Sequence, residues 1–333
     1  MIKAYAVYGP GGELEPFEYD PGPLADQDVE IQVEHCGICH SDLNMINNEW
    51  GMSDYPLVPG HEVIGKVVAT GAAVTGVSVG ERVGLGWHSS YCLSCSCCLS
   101  DDHNLCASAQ GTIVGRHGGF ADKVRAHHTS VIILPKGLAV ETAGPLFCGG
   151  ITVFNPLVQY DIKPTDHVAV IGVGGLGHLA IQFLQAWGCR VTAFSSNRSK
   201  QQSILDMGAD EVINSHDKIA LKAARGRFDF ILSTVNVALD WQQYINALKP
   251  RGRLHFVGAT LEPVNINAFS LISAQRSISG SAVGSPATIK AMLDFAAQHN
   301  IQPIVEHFSF DQINAAIQHL ADGKARYRVV LTA

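Results

Sequence analysis

The sequence predicts an α/β protein in two parts, a β-rich unit over residues 1–150 and a doubly wound parallel sheet after it. Three observations point there. A chain of 333 residues is longer than one hydrophobic core usually serves, so two domains are expected. Up to residue 150 short apolar runs are punctuated by glycine, proline and aspartate turns, the pattern of an all-β or barrel-like unit. From Asp166 the pattern becomes strand, helix, strand, which builds a parallel sheet covered on both faces.

The elements follow in order. Residues 1–8 alternate as a strand, as do residues 28–33 and 65–69. The second part opens with a strand over 167–171, a helix over 176–187, a strand over 190–194 and a helix over 199–207. Apolar runs at 228–232 and 253–257 supply further strands. Helical patterns at 287–299 and 311–320 precede a terminal strand at 327–331. Neither an internal repeat nor a low-complexity tract interrupts this order.

Composition narrows the function. With 47% apolar and 16% charged residues the chain is well packed rather than disordered. A net charge of -7 without any basic block excludes nucleic-acid binding and attraction to anionic membranes. The N-terminus lacks the apolar core and cleavage site of a signal peptide, and no run approaches the roughly 20 apolar residues of a membrane span. Nine cysteines in such a chain point to a reducing compartment, with the cytoplasm the expected address, and to metal chemistry rather than disulfides.

The stretch Cys92-Leu-Ser-Cys95-Ser-Cys97-Cys98, followed by Cys106, has the thiol spacing of a four-sulfur zinc site. Four thiolates from Cys92, Cys95, Cys98 and Cys106 fill a tetrahedral ion, leave no position for substrate, and so imply a structural role. Cys97 reads either as an oxidisable thiol or as a competing ligand. Cys36 and Cys189 sit in apolar surroundings and read as small core residues.

In the run Gly172-Val173-Gly174-Gly175-Leu176-Gly177 a strand enters a glycine turn and leaves as a helix, the context that favours dinucleotide binding over a merely structural tight turn. Gly172 permits the turn, Gly174 admits a pyrophosphate to the backbone, and Gly177 lets the helix pack on the strand. At the end of the next strand an acidic residue would select NAD, but the chain reads Ser195-Ser196-Asn197-Arg198-Ser199-Lys200. Hydroxyls and cations without a carboxylate favour a 2′-phosphate, hence NADP(H). A plain turn with a solvated Arg198 is the competing reading.

A second metal constellation is dispersed over Cys39, His61, Glu62 and Cys148. Two sulfurs and one imidazole leave a fourth position open, as a catalytic zinc requires. Taken alone, His61 reads more readily as a surface or core histidine than as a ligand, and Asp42 reads equally as a helix cap.

The strings CGICHSD, PGHE, the Cys92 knuckle, LFCGGIT and GVGGLG, in this order, resemble those of the zinc-dependent medium-chain alcohol dehydrogenases over essentially the whole chain. The CHSD, FSSN and LFCGGIT variants most resemble the branch of cinnamyl alcohol dehydrogenases and bacterial broad-range aldehyde reductases. The resemblance implies a GroES-like catalytic domain over 1–150 with a structural zinc lobe at about 88–108, a Rossmann domain over 151–285, and a return to the catalytic domain over 286–333. It further implies two zinc ions per chain, the catalytic one in the cleft between the domains, with NADP(H) as cofactor. It implies a small alcohol or aldehyde as the substrate and a homodimer as the assembly. Carried onto these positions, the resemblance implies that Cys39, His61 and Cys148 bind the catalytic zinc and that Glu62 approaches it during ligand exchange. Asp42 orients His61, Ser41 passes the alcohol proton, and His40 meets the pyrophosphate. The resemblance also places Thr152, Thr234, Gly258, Ser281, Ala282 and Val283 around the nicotinamide half, with a loop residue that meets no ligand the equal alternative for each. Trp50, Met52, Leu57 and Trp87 are candidates for an apolar substrate wall, with core packing the alternative. One departure stands out: the family's usual relay histidine is replaced by Asn44, whose amide takes up no proton at neutral pH, so the relay ends elsewhere, through water, ribose or His40, or runs more slowly.

The expected activity is hydride transfer between NADP(H) and an alcohol/aldehyde pair, chiefly as aldehyde reduction. An NAD-linked polyol or formaldehyde dehydrogenase on the same scaffold is the nearest rival, disfavoured by Ser195. A non-catalytic redox or zinc-responsive binding protein is the other, disfavoured by the intact Cys39, His61 and Cys148 set.

Overall fold

A computed structural model describes residues 1–260 and 262–333 of the chain. It divides into two compact units, residues 1–151 with 283–333, and residues 152–282.

The first unit opens with β1 (Ile2–Ala6) and β2 (Glu15–Tyr19), paired antiparallel. The long β3 (Asp28–Ile38) turns Val29, Ile31 and Val33 into the core by the two-residue period of a strand, and fully buried Cys36 follows on it. Helix α1 (His40–Ile46) leaves directly from its end. The chain continues through β4 (Val63–Thr70), β5 (Arg82–Leu85), β6 (His88–Ser90), the single turn α2 (Ser96–Leu99), β7 (Gln110–Gly111), β8 (Lys123–His127) and β9 (Val131–Ile133). Helix α3 (Gly149–Gln159) carries it into the second unit.

There β10 (His167–Ile171), α4 (Gly177–Trp187), β11 (Arg190–Ser195), α5 (Gln201–Asp206), β12 (Glu211–Asn214), α6 (Lys218–Ala223), β13 (Phe228–Ser233), α7 (Trp241–Ala247), β14 (Leu248–Phe256), α8 (Ala268–Ile272) and β15 (Ser277–Gly280) alternate. The six strands form one parallel sheet in the order β12-β11-β10-β13-β14-β15. All five residues of β10 are buried, as a central strand covered on both faces requires. Strand order reverses beside β10, so the turn leaving it opens at the topological switch point where such sheets bind ligands.

The chain then rejoins the first unit through α9 (Pro286–His299), β16 (Val305–Ser309), α10 (Ile313–Ala321) and β17 (Arg328–Thr332). β17 lies antiparallel on β3 with Val329 opposite Ile38, completing a seven-stranded sheet ordered β16-β17-β3-β4-β5-β9 with β8 also on β3. The expected elements are present, most with ends moved by a residue or two, while the strand expected at 28–33 runs on to Ile38 as β3. The predicted helix at 199–207 is a 3-10 turn over Arg198–Lys200 followed by α5, and the strand expected at 253–257 begins five residues earlier as β14.

Candidate active site and metal centres

The dispersed constellation converges. Cys39 is the N-cap of α1, His61 and Glu62 lead into β4, and Cys148 precedes α3. Their donor atoms lie within 4.8 Å of one another, and all four residues are buried. The sulfurs of Cys39 and Cys148 are 3.8 Å apart. Asp42 organises the group with both carboxylate oxygens. Its Oδ2 accepts the Cys39 N–H at 2.8 Å, while its Oδ1 accepts the Gly60 N–H at 2.9 Å and faces His61 Nδ1 at 3.0 Å. Asp42 is therefore both the helix-capping residue and the partner that fixes the imidazole, so the two readings of the sequence describe one carboxylate.

Electrostatics give this cluster the character of a cation site. Burial works against a charged imidazole at His61, but Asp42 outweighs it and holds the pKa well above the ordinary value. The hydrogen bond between the two thiols draws Cys39 well below the usual thiol range and pushes Cys148 well above it. His61 Nε2 and Glu62 Oε2 are buried without a hydrogen-bond partner. A buried orphan ring nitrogen beside two thiols is costly unless a metal ion displaces its proton and takes the lone pair. Two sulfurs and one imidazole with a carboxylate at hand fit zinc.

Arg328, which the sequence reading missed, closes the back of the group. Its Nη2 pairs with Glu62 Oε1, and its Nη1 lies 4.0 Å from Cys39 Sγ. Burial raises the Glu62 pKa, and Arg328 opposes that rise. The only sequence signal was an arginine inside the apolar run of the last strand. Gly37 supplies room: a Cβ there would stand 2.0 Å from Glu62 Oε2.

The knuckle cysteines Cys92, Cys95, Cys98 and Cys106 form a second donor group among the described residues, also within 4.8 Å. Cys106 Sγ is 3.5 Å and Cys98 Sγ 3.9 Å from Cys92 Sγ. Backbone N–H groups of Ser94 and Cys95 bring Cys92 down to about 6, whereas burial pushes Cys98 up to about 12. Such crowding lets all four thiols ionise only around a cation, and the all-sulfur set fits a structural zinc. Cys97 stands outside this group, half-buried on α2.

In the second unit the glycine run leaves β10 and enters α4, whose N-terminus has no side-chain cap. A Cβ on Gly177 would meet the Gly172 carbonyl at 1.9 Å, so helix and turn pack at contact distance. By contrast a Cβ on Gly174 would meet nothing within 4 Å, leaving the open approach an anion needs at a helix N-terminus. Thr234 Oγ1 lies 3.0 Å from the carbonyls of both Ile171 and Gly172 and holds the turn. At the end of β11, Ser195 Oγ meets the Asn197 N–H at 3.3 Å, and Ser196, Asn197 and Arg198 are exposed beside half-buried Lys200.

The softer assignments scatter. Thr152 is buried in α3, the Gly258 N–H donates to the Ser233 carbonyl at 3.2 Å, and Ser281 Oγ pairs with His255 Nε2 at 2.9 Å. Ala282 is exposed and ends the second unit, whereas Val283 begins the returning part of the first. Trp87 stands edge-on to the His61 ring at 5.1 Å and to Trp50 at 5.9 Å, and Met52 is exposed. Leu57 is packed in the core with its backbone paired to Val7, so core packing is the reading that holds for it. Exposed His40 and half-buried Ser41 open α1, with Ser41 Oγ 3.7 Å from Cys39 Sγ. With its amide turned to satisfy its neighbours, Asn44 donates to the His40 carbonyl at 3.2 Å and to Glu49 Oε2 at 2.8 Å.

Comparison with known proteins agrees with both units. Residues 25–136 match the alcohol dehydrogenase GroES-like domain and residues 175–298 the zinc-binding dehydrogenase domain. The chain is 61% identical over 332 residues to the aldehyde reductase AdhA of a Synechocystis strain, covering 100% of this chain and 99% of the relative. A cinnamyl alcohol dehydrogenase of Sorghum bicolor superposes with TM-score 0.95 at 36% identity, covering 99% and 97% of the two chains. The Helicobacter pylori cinnamyl alcohol dehydrogenase complexed with NADP(H) does so with TM-score 0.91 at 29% identity, covering 99% and 97%. No helix among the described residues is long and apolar enough to cross a membrane. The chain belongs to the zinc-dependent medium-chain alcohol dehydrogenases, and is an alcohol/aldehyde oxidoreductase of the cinnamyl alcohol dehydrogenase and aldehyde reductase branch.

Proposed function

We propose that this enzyme works mainly as an NADP(H)-dependent aldehyde reductase, with its chemistry at Cys39, His61, Glu62 and Cys148. The observation that carries the reading is the buried, unpartnered His61 Nε2 among two thiols and a carboxylate. When bound, zinc supplies Lewis-acid polarisation of the substrate oxygen and NADPH supplies the hydride. Asp42 holds His61 in the tautomer that leaves Nε2 free to ligate, and Arg328 balances the Glu62 charge. Ser41 Oγ holds the proton that the product alcohol requires. Asn44 donates through its amide and carries no proton onward, so exchange with solvent runs through water, the cofactor ribose or exposed His40.

The structural zinc belongs to Cys92, Cys95, Cys98 and Cys106, and the domains are taken as residues 1–150, 151–285 and 286–333. The pyrophosphate binds along Gly172, Val173, Gly174, Gly175, Leu176 and Gly177. Ser195, Ser196, Asn197, Arg198 and Lys200 hold the 2′-phosphate. The exposed hydroxyl, amide and guanidinium beyond β11 support NADP(H), as does the NADP(H) complex of the Helicobacter pylori relative. Thr152, Thr234, Gly258, Ser281, Ala282 and Val283 serve the nicotinamide half. Trp50 and Trp87 form the substrate wall beside the metal group. A cytoplasmic address fits nine free cysteines. Homodimerisation fits β15 at the sheet edge, with exposed Ile278 on it and Phe269 and Ile272, each 71% exposed, on the preceding α8.

The test is NADPH consumption by zinc-replete protein with benzaldehyde, cinnamaldehyde and aliphatic aldehydes. Turnover with a preference for NADPH is expected, and its absence across the whole series would sink the proposal.

A further inference from the structure

The zinc knuckle leaves and rejoins the body of the first unit beside the substrate wall. Trp87 lies just before β6, and β7 pairs with β6 antiparallel after the chain has passed through the four cysteines. The first residue beyond β7 is Thr112, which is fully buried. It holds two consecutive carbonyls of the opposite segment: its N–H donates to the Trp87 carbonyl at 2.7 Å and its Oγ1 to the Gly86 carbonyl at 2.6 Å. Gly86 is fixed from the other side, since a Cβ there would lie 2.6 Å from the carbonyl of Phe147, the residue before Cys148. The backbone carrying the Trp87 indole is thus clamped between Thr112 and the chain leading to a metal-ligand cysteine. A small cavity lies alongside, lined by Trp87, His88, Phe147, Val283 and Ile289, so the packing next to the indole is not complete.

We infer that Thr112 is a positioning residue for substrate size: through the Gly86 and Trp87 carbonyls it holds the indole against the His61 ring and keeps the pocket narrow. The knuckle then has a second use besides stability, because it closes the loop that brings Thr112 onto Trp87. The inference rests on the reading of Trp87 as substrate wall. A buried hydroxyl with a short bond to a backbone carbonyl is also an ordinary way to satisfy a turn, and the two roles differ in what they change. A purely structural hydroxyl affects all substrates alike, whereas a clamp on the wall affects large aldehydes differently from small ones.

The experiment compares kcat and KM for a small aliphatic and a bulky aromatic aldehyde in the full-length, zinc-loaded enzyme and its variants. Thr112→Val removes the hydroxyl at nearly constant volume, Thr112→Ser restores it, and Trp87→Ala removes the wall. The expected result is a rise of about fivefold in the bulky-to-small ratio of kcat/KM for T112V, the size of one lost hydrogen bond, carried by KM. T112S keeps the parent ratio, and W87A shifts the ratio at least as far as T112V. Metal analysis should still give two zinc ions per T112V chain, the full complement of one closed and one open site. Tryptophan emission should change with T112V in the parent background and stay unchanged in a Trp87→Phe background. Should T112V fail to fold, Thr112→Ala against T112S carries the same comparison. An unchanged ratio in T112V alongside a changed one in W87A overturns the clamp alone. An unchanged ratio in W87A overturns the substrate wall and the clamp with it.

Discussion

Asp42→Asn is the sharpest perturbation of the catalytic cluster, because one buried carboxylate makes three contacts to it. Those run to the Cys39 N–H at 2.8 Å, the Gly60 N–H at 2.9 Å and His61 Nδ1 at 3.0 Å. Asparagine keeps the shape but has one oxygen. If that oxygen stays toward Gly60 and His61, the new NH2 faces the Cys39 N–H, and two donors meet where a charged acceptor stood. The lost charge-assisted bond is worth about 1.5–3 kcal/mol and the orphaned N–H about 1–3 kcal/mol. Because these overlap, roughly 3 kcal/mol of destabilisation in the metal-free protein is the expected sum. Losing the carboxylate that fixes the imidazole should also weaken zinc affinity about 10–100-fold. Urea unfolding of the metal-free protein measures the first quantity, and chelator competition with colorimetric zinc release the second. A D42N protein with the parent's zinc affinity would refute the argument that Asp42 orients a ligand. A changed zinc affinity at unchanged stability would refute the hydrogen-bond sum.

Three further outcomes are expected. Ser195→Asp places a carboxylate where the 2′-phosphate is proposed to sit and should shift preference toward NADH, read as the ratio of kcat/KM for the two cofactors; an unchanged ratio removes the assignment. Cys95→Ala breaks the four-sulfur set and should lower zinc by about one ion per chain on metal analysis; lost activity with both ions retained would show that the knuckle is not structural. Finally, burial holds His167 and His255 neutral down to about 4, below the ordinary imidazole value. The unfolded chain takes up these protons near pH 6.5 and the folded one does not, so stability is complete above about 6.5 and is lost as pH falls toward about 4. The slope is at most about 1.4 kcal/mol per pH unit per histidine, and roughly half that after solvent screening. Denaturant unfolding at several pH values should show a flatter slope in a His167→Asn, His255→Asn double variant, and an identical slope contradicts the assignment.

How much was legible in the sequence follows from the range of the forces involved. The glycine turn and the cysteine knuckle are local: their residues sit within a few positions of one another, so spacing alone displays the geometry. Strands such as β10 announce themselves by unbroken apolar runs. The short β12, α6 and β15 carry weaker patterns and emerge only from their neighbours in the sheet. Arg328 was illegible because its meaning depends on β17 pairing with β3, which sets it against Glu62 across 266 residues of chain. Thr112 was silent for the same reason, an unremarkable threonine until β6 and β7 pair. Asp42 had two competing readings, cap and imidazole partner, and only three-dimensional convergence reveals that one carboxylate serves both. Leu57 lies near the ligands in sequence but in the core in space.

The most direct test of the account is the rate at which the zinc-loaded enzyme consumes NADPH and NADH with benzaldehyde and cinnamaldehyde. The account predicts measurable aldehyde reduction, faster with NADPH than with NADH, that disappears when zinc is withdrawn from the Cys39, His61 and Cys148 set. Turnover that survives removal of both zinc ions, or none with any aldehyde in the presence of zinc and either cofactor, would contradict it.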